Sequence, residues 1–124
     1  ASLQFVELPE TLKILDRGAF VMSGITSIVI PGSVERIGEQ AFSTCNDLKE
    51  VVIQEGVTAI ERKAFEYCDV LERIEIPMSV EEIGHSAAWG SGTKTEAGAA
   101  TIYAPAGSAA EAAAEENEVN FQTN

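Results

Sequence analysis

Few residues in this sequence could act as a nucleophile, a general base or a metal ligand. His85 is the only histidine, and Cys45 and Cys68 are the only cysteines. No cysteine or serine shares a register with the histidine, so the nucleophile–base pair of covalent catalysis is missing. Two cysteines without a second pair do not make a zinc site, and no glycine-rich phosphate loop is present. We therefore expect no catalytic residue, no metal and no cofactor.

The acidic residues could support a different chemistry, the cleavage of polysaccharides by a parallel β-helix. Such an enzyme needs several carboxylates that converge on one face of a coil, whereas Asp16, Asp47 and Asp69 fall on predicted turns and the glutamates are scattered. A glycan-cleaving enzyme is thus the least favoured interpretation. Twenty acidic and eight basic residues give a net charge of −12, which argues against nucleic acid and anionic lipid as partners.

The elements that would position any site come from an internal repeat. Residues 48–70 are similar in sequence to residues 25–47, ITSIVIPGSVERIGEQAFSTCND. Related segments begin at Leu3 and Leu71. Ile25, Leu48 and Leu71 are spaced by 23 residues. A fixed period of this length is the signature of a solenoid, in which each coil buries its apolar face against its neighbours.

Each repeat contains one strand, followed by a segment that returns the chain to the protein interior. In the strands the outer residues are apolar and the middle residue varies, as a half-exposed sheet face allows. Proline ends the strand in three repeats, at Pro9, Pro31 and Pro77. Valine and isoleucine then return the chain to the core, and an Ala-Phe pair fits a helical turn on the convex side. The Ala-Phe pairs are Ala19-Phe20, Ala41-Phe42 and Ala64-Phe65.

The pattern L-x-x-I-x-I-P-x-x-V-x-x-I-G-x-x-A-F-x-x-C resembles the BspA-type leucine-rich repeats of bacterial and protist surface proteins. It occurs four times in register between residue 3 and about residue 90, and residues 101–121 are similar to the tail of such arrays. The resemblance implies a leucine-rich-repeat fold, a surface or secreted location, and a role in adhesion or protein binding. It supplies no catalytic residues.

The fold class expected is an α/β-type solenoid of about four coils of 22–23 residues, with one parallel-sheet face and a C-terminal helical cap. A single domain spans residues 1–124, with repeats at 3–24, 25–47, 48–70 and 71–100 and a cap at 101–124. In the cap, residues 101–105 are predicted to form a fifth strand. Ser108 and Glu111 form a capping box for a helix from about Ala109 to Glu116, after which Val119 and Phe121 fold back.

Cys45 and Cys68 occupy one slot of adjacent coils, in a column with Ser23 and Ser91. Stacked strands place equivalent atoms about 4.7–4.9 Å apart, whereas the Cβ atoms of a disulfide lie roughly 3.8 Å apart. The two side chains would also be parallel. We therefore predict buried free thiols, with a disulfide as the alternative.

The fourth repeat departs from the pattern after its strand and turn. Ala88 stands where phenylalanine is expected, and a cavity there would cost on the order of 3–5 kcal/mol. We expect Trp89 to fill it, the alternative being an exposed anchor for a ligand. His85 occupies a solvent-type slot, and residues 91–100 form an inserted loop expected to be mobile rather than a binding element.

A binding surface is predicted from the strand pleat. Residues that alternate with the buried ones face outward and align in two columns, with Val29 and Val52 exposed at the centre. The columns are Phe5, Ser27, Glu50 and Arg73, and Glu7, Val29, Val52 and Glu75. The alternative is that the two valines are only strand formers on a solvated face.

The function expected is therefore a non-catalytic surface or secreted module that binds a protein or matrix ligand through this face. A passive spacer or stalk of a larger surface protein is the main alternative. No apolar run approaches the roughly 18 residues of a membrane span, and we expect an extracellular monomer.

Overall fold

The computed structural model describes residues 5–20, 24–45, 47–61, 63–65, 68, 70–84, 101–117 and 120–123. The expectations for His85, Trp89, Val119 and the loop at 91–100 lie outside these residues. The elements in chain order are β1 Phe5–Glu7, β2 Ile14–Leu15, β3 Ser27–Ile30, β4 Arg36–Ile37, β5 Glu50–Ile53, β6 Ala59–Ile60, β7 Arg73–Glu75, β8 Glu82–Ile83, β9 Thr101–Ala104, α1 Ala109–Asn117 and β10 Asn120–Thr123.

The strands form two parallel sheets, one on each side of the coils. The six-stranded sheet has the order β1-β3-β5-β7-β9-β10, and the four-stranded sheet has the order β2-β4-β6-β8. Each coil contributes one strand to each sheet, so the predicted solenoid is confirmed. Only one sheet face was expected, and the second sheet is an addition made by strands of two residues each.

The core lies between the two sheets. The alternating strand residues face inward from the larger sheet, as at Ile28 and Ile30, which are fully buried. Ile37 and Ile60 meet them from the smaller sheet and are equally buried. One coil could not remove these side chains from water, so the stacking of coils supplies the hydrophobic stabilisation.

The phenylalanines of the first three coils form an aromatic column along the stack. The ring centroids of Phe20 and Phe42 are 5.2 Å apart and those of Phe42 and Phe65 are 5.1 Å apart, with interplanar angles of 3° in both pairs. Phe42 and Phe65 are fully buried, and Phe20 in the first coil is partly buried. These residues lie in hydrogen-bonded turns and not in a longer helix.

The two cysteines are buried and free, as predicted. The Cys45 thiol donates to the carbonyl oxygen of Phe20 at 3.1 Å, and the Cys68 thiol donates to that of Phe42 at 3.1 Å. Each thiol is therefore directed at the backbone of the preceding coil. This contact gives the two cysteines a structural role, since each thiol satisfies a carbonyl in the turn that carries the phenylalanine.

The C-terminal segment caps the last coil. Strand β9 continues the larger sheet beside β7, and α1 begins with the Ser108 hydroxyl accepting a hydrogen bond from the Glu111 amide at 3.2 Å. The reciprocal half of the capping box differs from the expectation, because the Glu111 carboxylate accepts from the Gly107 amide, one residue earlier. The return of Phe121 is also more regular than predicted, since it belongs to β10, a sixth parallel strand.

Candidate functional site

The candidate binding site is the outer face of the six-stranded sheet. Strand register places Ser27, Glu50 and Arg73 in one row across β3, β5 and β7, and Val29, Val52 and Glu75 in the next. These residues alternate with buried ones along each strand, so their side chains leave the opposite side of the sheet. Phe5 and Glu7 begin the two rows through the pairing of β1 with β3.

Strand β9 extends both rows by residues that the sequence analysis did not assign to the face. Thr101 pairs with Arg73, and Tyr103 pairs with Glu75. The alternation of Thr-Ile-Tyr-Ala before Pro105 is the signal that could have placed them there, because it matches the strand-then-proline pattern of the repeats. The face therefore contains an aromatic side chain next to its only described arginine.

Arg73 contacts both Glu75 and Tyr103 on strands β7 and β9 of the face. The Arg73 guanidinium carbon lies 3.9 Å from the centre of the Tyr103 ring, in a cation–π arrangement. Its Nη2 donates to the Glu75 carboxylate at 3.2 Å. Both charged side chains remain partly exposed, at 42% and 34%. The stacking and the ion pair both favour this orientation of the guanidinium.

Val29 and Val52 lie beside this cluster, but they are partly buried rather than exposed. Equivalent positions on adjacent strands are only about 5 Å apart, so neighbouring side chains in a row of a sheet partly cover one another. The valines consequently offer a narrower apolar strip than expected. The surface combines this strip with the Arg73–Tyr103 pair and with exposed Glu50 at its edge.

Within the described ranges, no three His, Cys, Asp or Glu side chains come close enough together to hold a metal ion. In the same part of the chain, no helix has the length and hydropathy needed to cross a membrane.

Comparison with known proteins establishes the family. A family model described as the BspA type leucine-rich repeat region (6 copies) matches residues 1–93, which is most of the chain. The chain belongs to the BspA-type leucine-rich repeat family. No curated protein matches it.

Solved structures similar to this BspA-type array include a leucine-rich cell surface protein from Faecalibacterium prausnitzii A2-165. The two sequences are 23% identical, the TM-score is 0.37, and the match covers 66% of this chain and 38% of the other. The BspA-type chain described here thus spans less than half the length of that protein.

Proposed function

We propose that this BspA-type array is a non-catalytic cell-surface or secreted module that binds a protein or matrix ligand through the outer face of its six-stranded sheet. The observation that carries the proposal is the continuous pair of rows on this face, which contains the cluster of Arg73, Glu75 and Tyr103. The family supports the surface location.

The face has properties that favour protein binding. Its backbone belongs to a hydrogen-bonded sheet, so little ordering is needed when a partner binds. Tyrosine and arginine are enriched among the residues that dominate binding energy at protein interfaces. Val29 and Val52 add an apolar strip, and Glu50 belongs to a polar rim.

A non-catalytic role agrees with the placement of the acidic residues. Asp16 and Asp47 are exposed and belong to connections of different coils, and Asp69 lies outside the described residues. Glycan cleavage uses carboxylates that flank a single bond, roughly 5–9.5 Å apart. In this function the acidic residues form a solvated surface, and their charge keeps the array soluble.

The test is binding of the intact chain to a panel of purified extracellular-matrix proteins by biolayer interferometry. For a ligand that binds, we expect Val29→Lys, Val52→Lys and the pair Arg73→Ala with Tyr103→Ala each to weaken the affinity about tenfold or more. Gln54→Lys is the matched control, because it adds the same charge at an exposed position beyond the end of β5. Circular dichroism checks that each variant is folded.

Two outcomes would contradict the proposal. Affinity that is unchanged in all three face variants would place the site elsewhere on the chain, with residues 91–100 tested next. Absence of binding to every ligand in the panel would favour the passive spacer over the binding module.

A further inference from the structure

The first coil, residues 3–24, exposes apolar positions that the second coil buries. Val34 and Ala41 of the second coil are fully buried. At the same positions of the repeat in the first coil, Leu12 is only partly buried and Ala19 is exposed. The second coil has a neighbour on each side, whereas the first coil packs against one described neighbour. The difference in exposure therefore arises at the open end of the first coil, which presents apolar surface to solvent.

Phe20 and strand β1 belong to the same open end. The Phe20 ring stacks on Phe42 at a centroid distance of 5.2 Å, yet it remains partly exposed. Within the described part of the chain, β1 pairs with β3 and with no second strand. An unpaired strand edge offers a row of backbone donors and acceptors with which another chain can pair. The open end thus combines an apolar surface with a free sheet edge.

The opposite end of the array is covered by the helical cap. Helix α1 contacts β8, β9 and β10. Its Ala110 and Ala114 are buried in the core. Because the helix covers this end, a coil of another molecule could not stack flush against it. A contact made through the first coil alone uses the same surface on both molecules, so it gives a closed twofold dimer and not a filament.

The distribution of charge favours a second copy of the chain at the first coil. Residues 3–24 contain two basic and three acidic residues, a formal charge of −1 out of the total of −12. Residues 101–124 contain four glutamates and no basic residue, a formal charge of −4. Like charges that face each other across an interface weaken it. Two copies of this acidic chain therefore repel each other least when their first coils meet.

We infer that two copies of this chain associate end to end through their first coils. Strand β1 of one copy pairs antiparallel with β1 of the other across a twofold axis normal to the sheet, and the apolar ends of both coils leave water in the same contact. This arrangement places the outer faces of the two six-stranded sheets on the same side of one continuous sheet. A dimer replaces the monomer expected from the sequence. The inference does not depend on the proposed ligand binding, since the outer faces stay free.

Sedimentation-velocity centrifugation of the intact chain tests the inference. We expect the 13.2 kDa monomer to convert to a dimer as concentration increases, with no larger species. Ala19→Glu should weaken dimerisation about tenfold or more, because twofold symmetry brings both added carboxylates into the contact. The matched control is Ala112→Glu, the same change at an exposed position of α1 at the other end. It should weaken dimerisation about twofold or less, since its charge is remote and screened.

Amide hydrogen exchange of the unmodified chain gives a second measurement. The β1 amides should exchange about tenfold more slowly when the dimer is the main species, whereas the α1 amides should not change. A chain that stays monomeric at about 1 mM would overturn the inference, because its dissociation constant would exceed that concentration. So would masses that grow beyond the dimer, which would indicate head-to-tail stacking. An undiminished dimer of folded Ala19→Glu, or exchange of β1 that does not depend on concentration, would overturn it as well, by placing the contact elsewhere.

Discussion

At the scale of single residues, the turn before each Ala-Phe pair requires an unusual backbone conformation. Gly18, Gln40 and Lys63 precede the alanines of three successive coils, and their φ angles are +69°, +58° and +61°. The left-handed region costs a non-glycine residue about 1–2 kcal/mol, so glycine suits this position best. Of these three repeats, only the first has a glycine at this position.

The glycine that stands out in the repeat pattern serves a different purpose. Gly38 has no positive φ, but a Cβ atom there would lie too close to the Leu15 carbonyl oxygen of the preceding coil. Its amide donates to that same oxygen at 2.8 Å. Gly38 is therefore required for the close approach of two backbones. The sequence revealed a glycine slot, but it did not distinguish close approach from backbone freedom.

We predict that Gln40→Gly and Lys63→Gly each stabilise the protein, although glycine is usually destabilising. Relief of the left-handed conformation outweighs the added freedom of the unfolded chain, and the net gain should be about 0.5–1 kcal/mol. Urea denaturation measures this change. Gln54→Gly is the matched control at a position without positive φ and should destabilise by a similar amount. A loss of stability in both Gln40→Gly and Lys63→Gly would contradict the prediction.

At the scale of elements, α1 depends on its cap more than on its helix dipole. The helix has an acidic residue in its first turn and no basic residue in its last turn. Its inward alanines, Ala110 and Ala114, are buried but small. The hydrogen bond from the Glu111 amide to the Ser108 hydroxyl and the contact of Glu111 with the Gly107 amide fix where the helix begins.

Ser108→Ala is therefore expected to destabilise the protein by about 1 kcal/mol, because the buried end of the helix loses the acceptor for an amide. Ser108→Asp restores an acceptor at the N-cap, but Ser108 is buried and the added charge makes it a less complete replacement. Thermal unfolding followed by circular dichroism compares the variants. Equal melting temperatures for the parent and Ser108→Ala would show that the cap contributes nothing measurable.

Some of the strands, but not all of them, could be predicted from the sequence. The strands β3, β5 and β7 and their two outward rows followed from apolar alternation and the period of 23 residues. The second sheet could not be recognised, because a strand of two residues such as Arg36–Ile37 is too short to show the alternation of apolar and polar side chains. The contact of Arg73 with Tyr103 depends on the pairing of β7 with β9 across an insertion that breaks the period.

At the scale of the whole molecule, each coil is bound to the next by the same set of contacts. One series of backbone hydrogen bonds runs along the stack, from the Glu35 amide to the Lys13 carbonyl, from Thr58 to Glu35, and from Glu81 to Thr58, at 2.7, 3.0 and 2.9 Å. Among the first three coils, the phenylalanine rings and the cysteine thiols form repeating contacts as well. The free energy of unfolding is then approximately the sum of a contribution from each coil and a contribution from each contact between neighbouring coils.

This additivity predicts that the array accepts another coil. Duplication of residues 25–47 directly after Asp47 should give a folded chain, because the new coil meets its neighbours through the contacts that coils two and three already make. The urea m-value should increase by about a fifth, in proportion to the surface that the longer chain buries, and the unfolding free energy should increase as well.

The control is an insertion of the same 23 residues in scrambled order at the same place. It should leave the m-value unchanged or disrupt the fold, since a scrambled segment either loops out or separates coils that must touch. If the duplicated and scrambled insertions gave the same m-value and stability, the duplicated coil would not have joined the stack, and the nearest-neighbour description of this solenoid would be wrong.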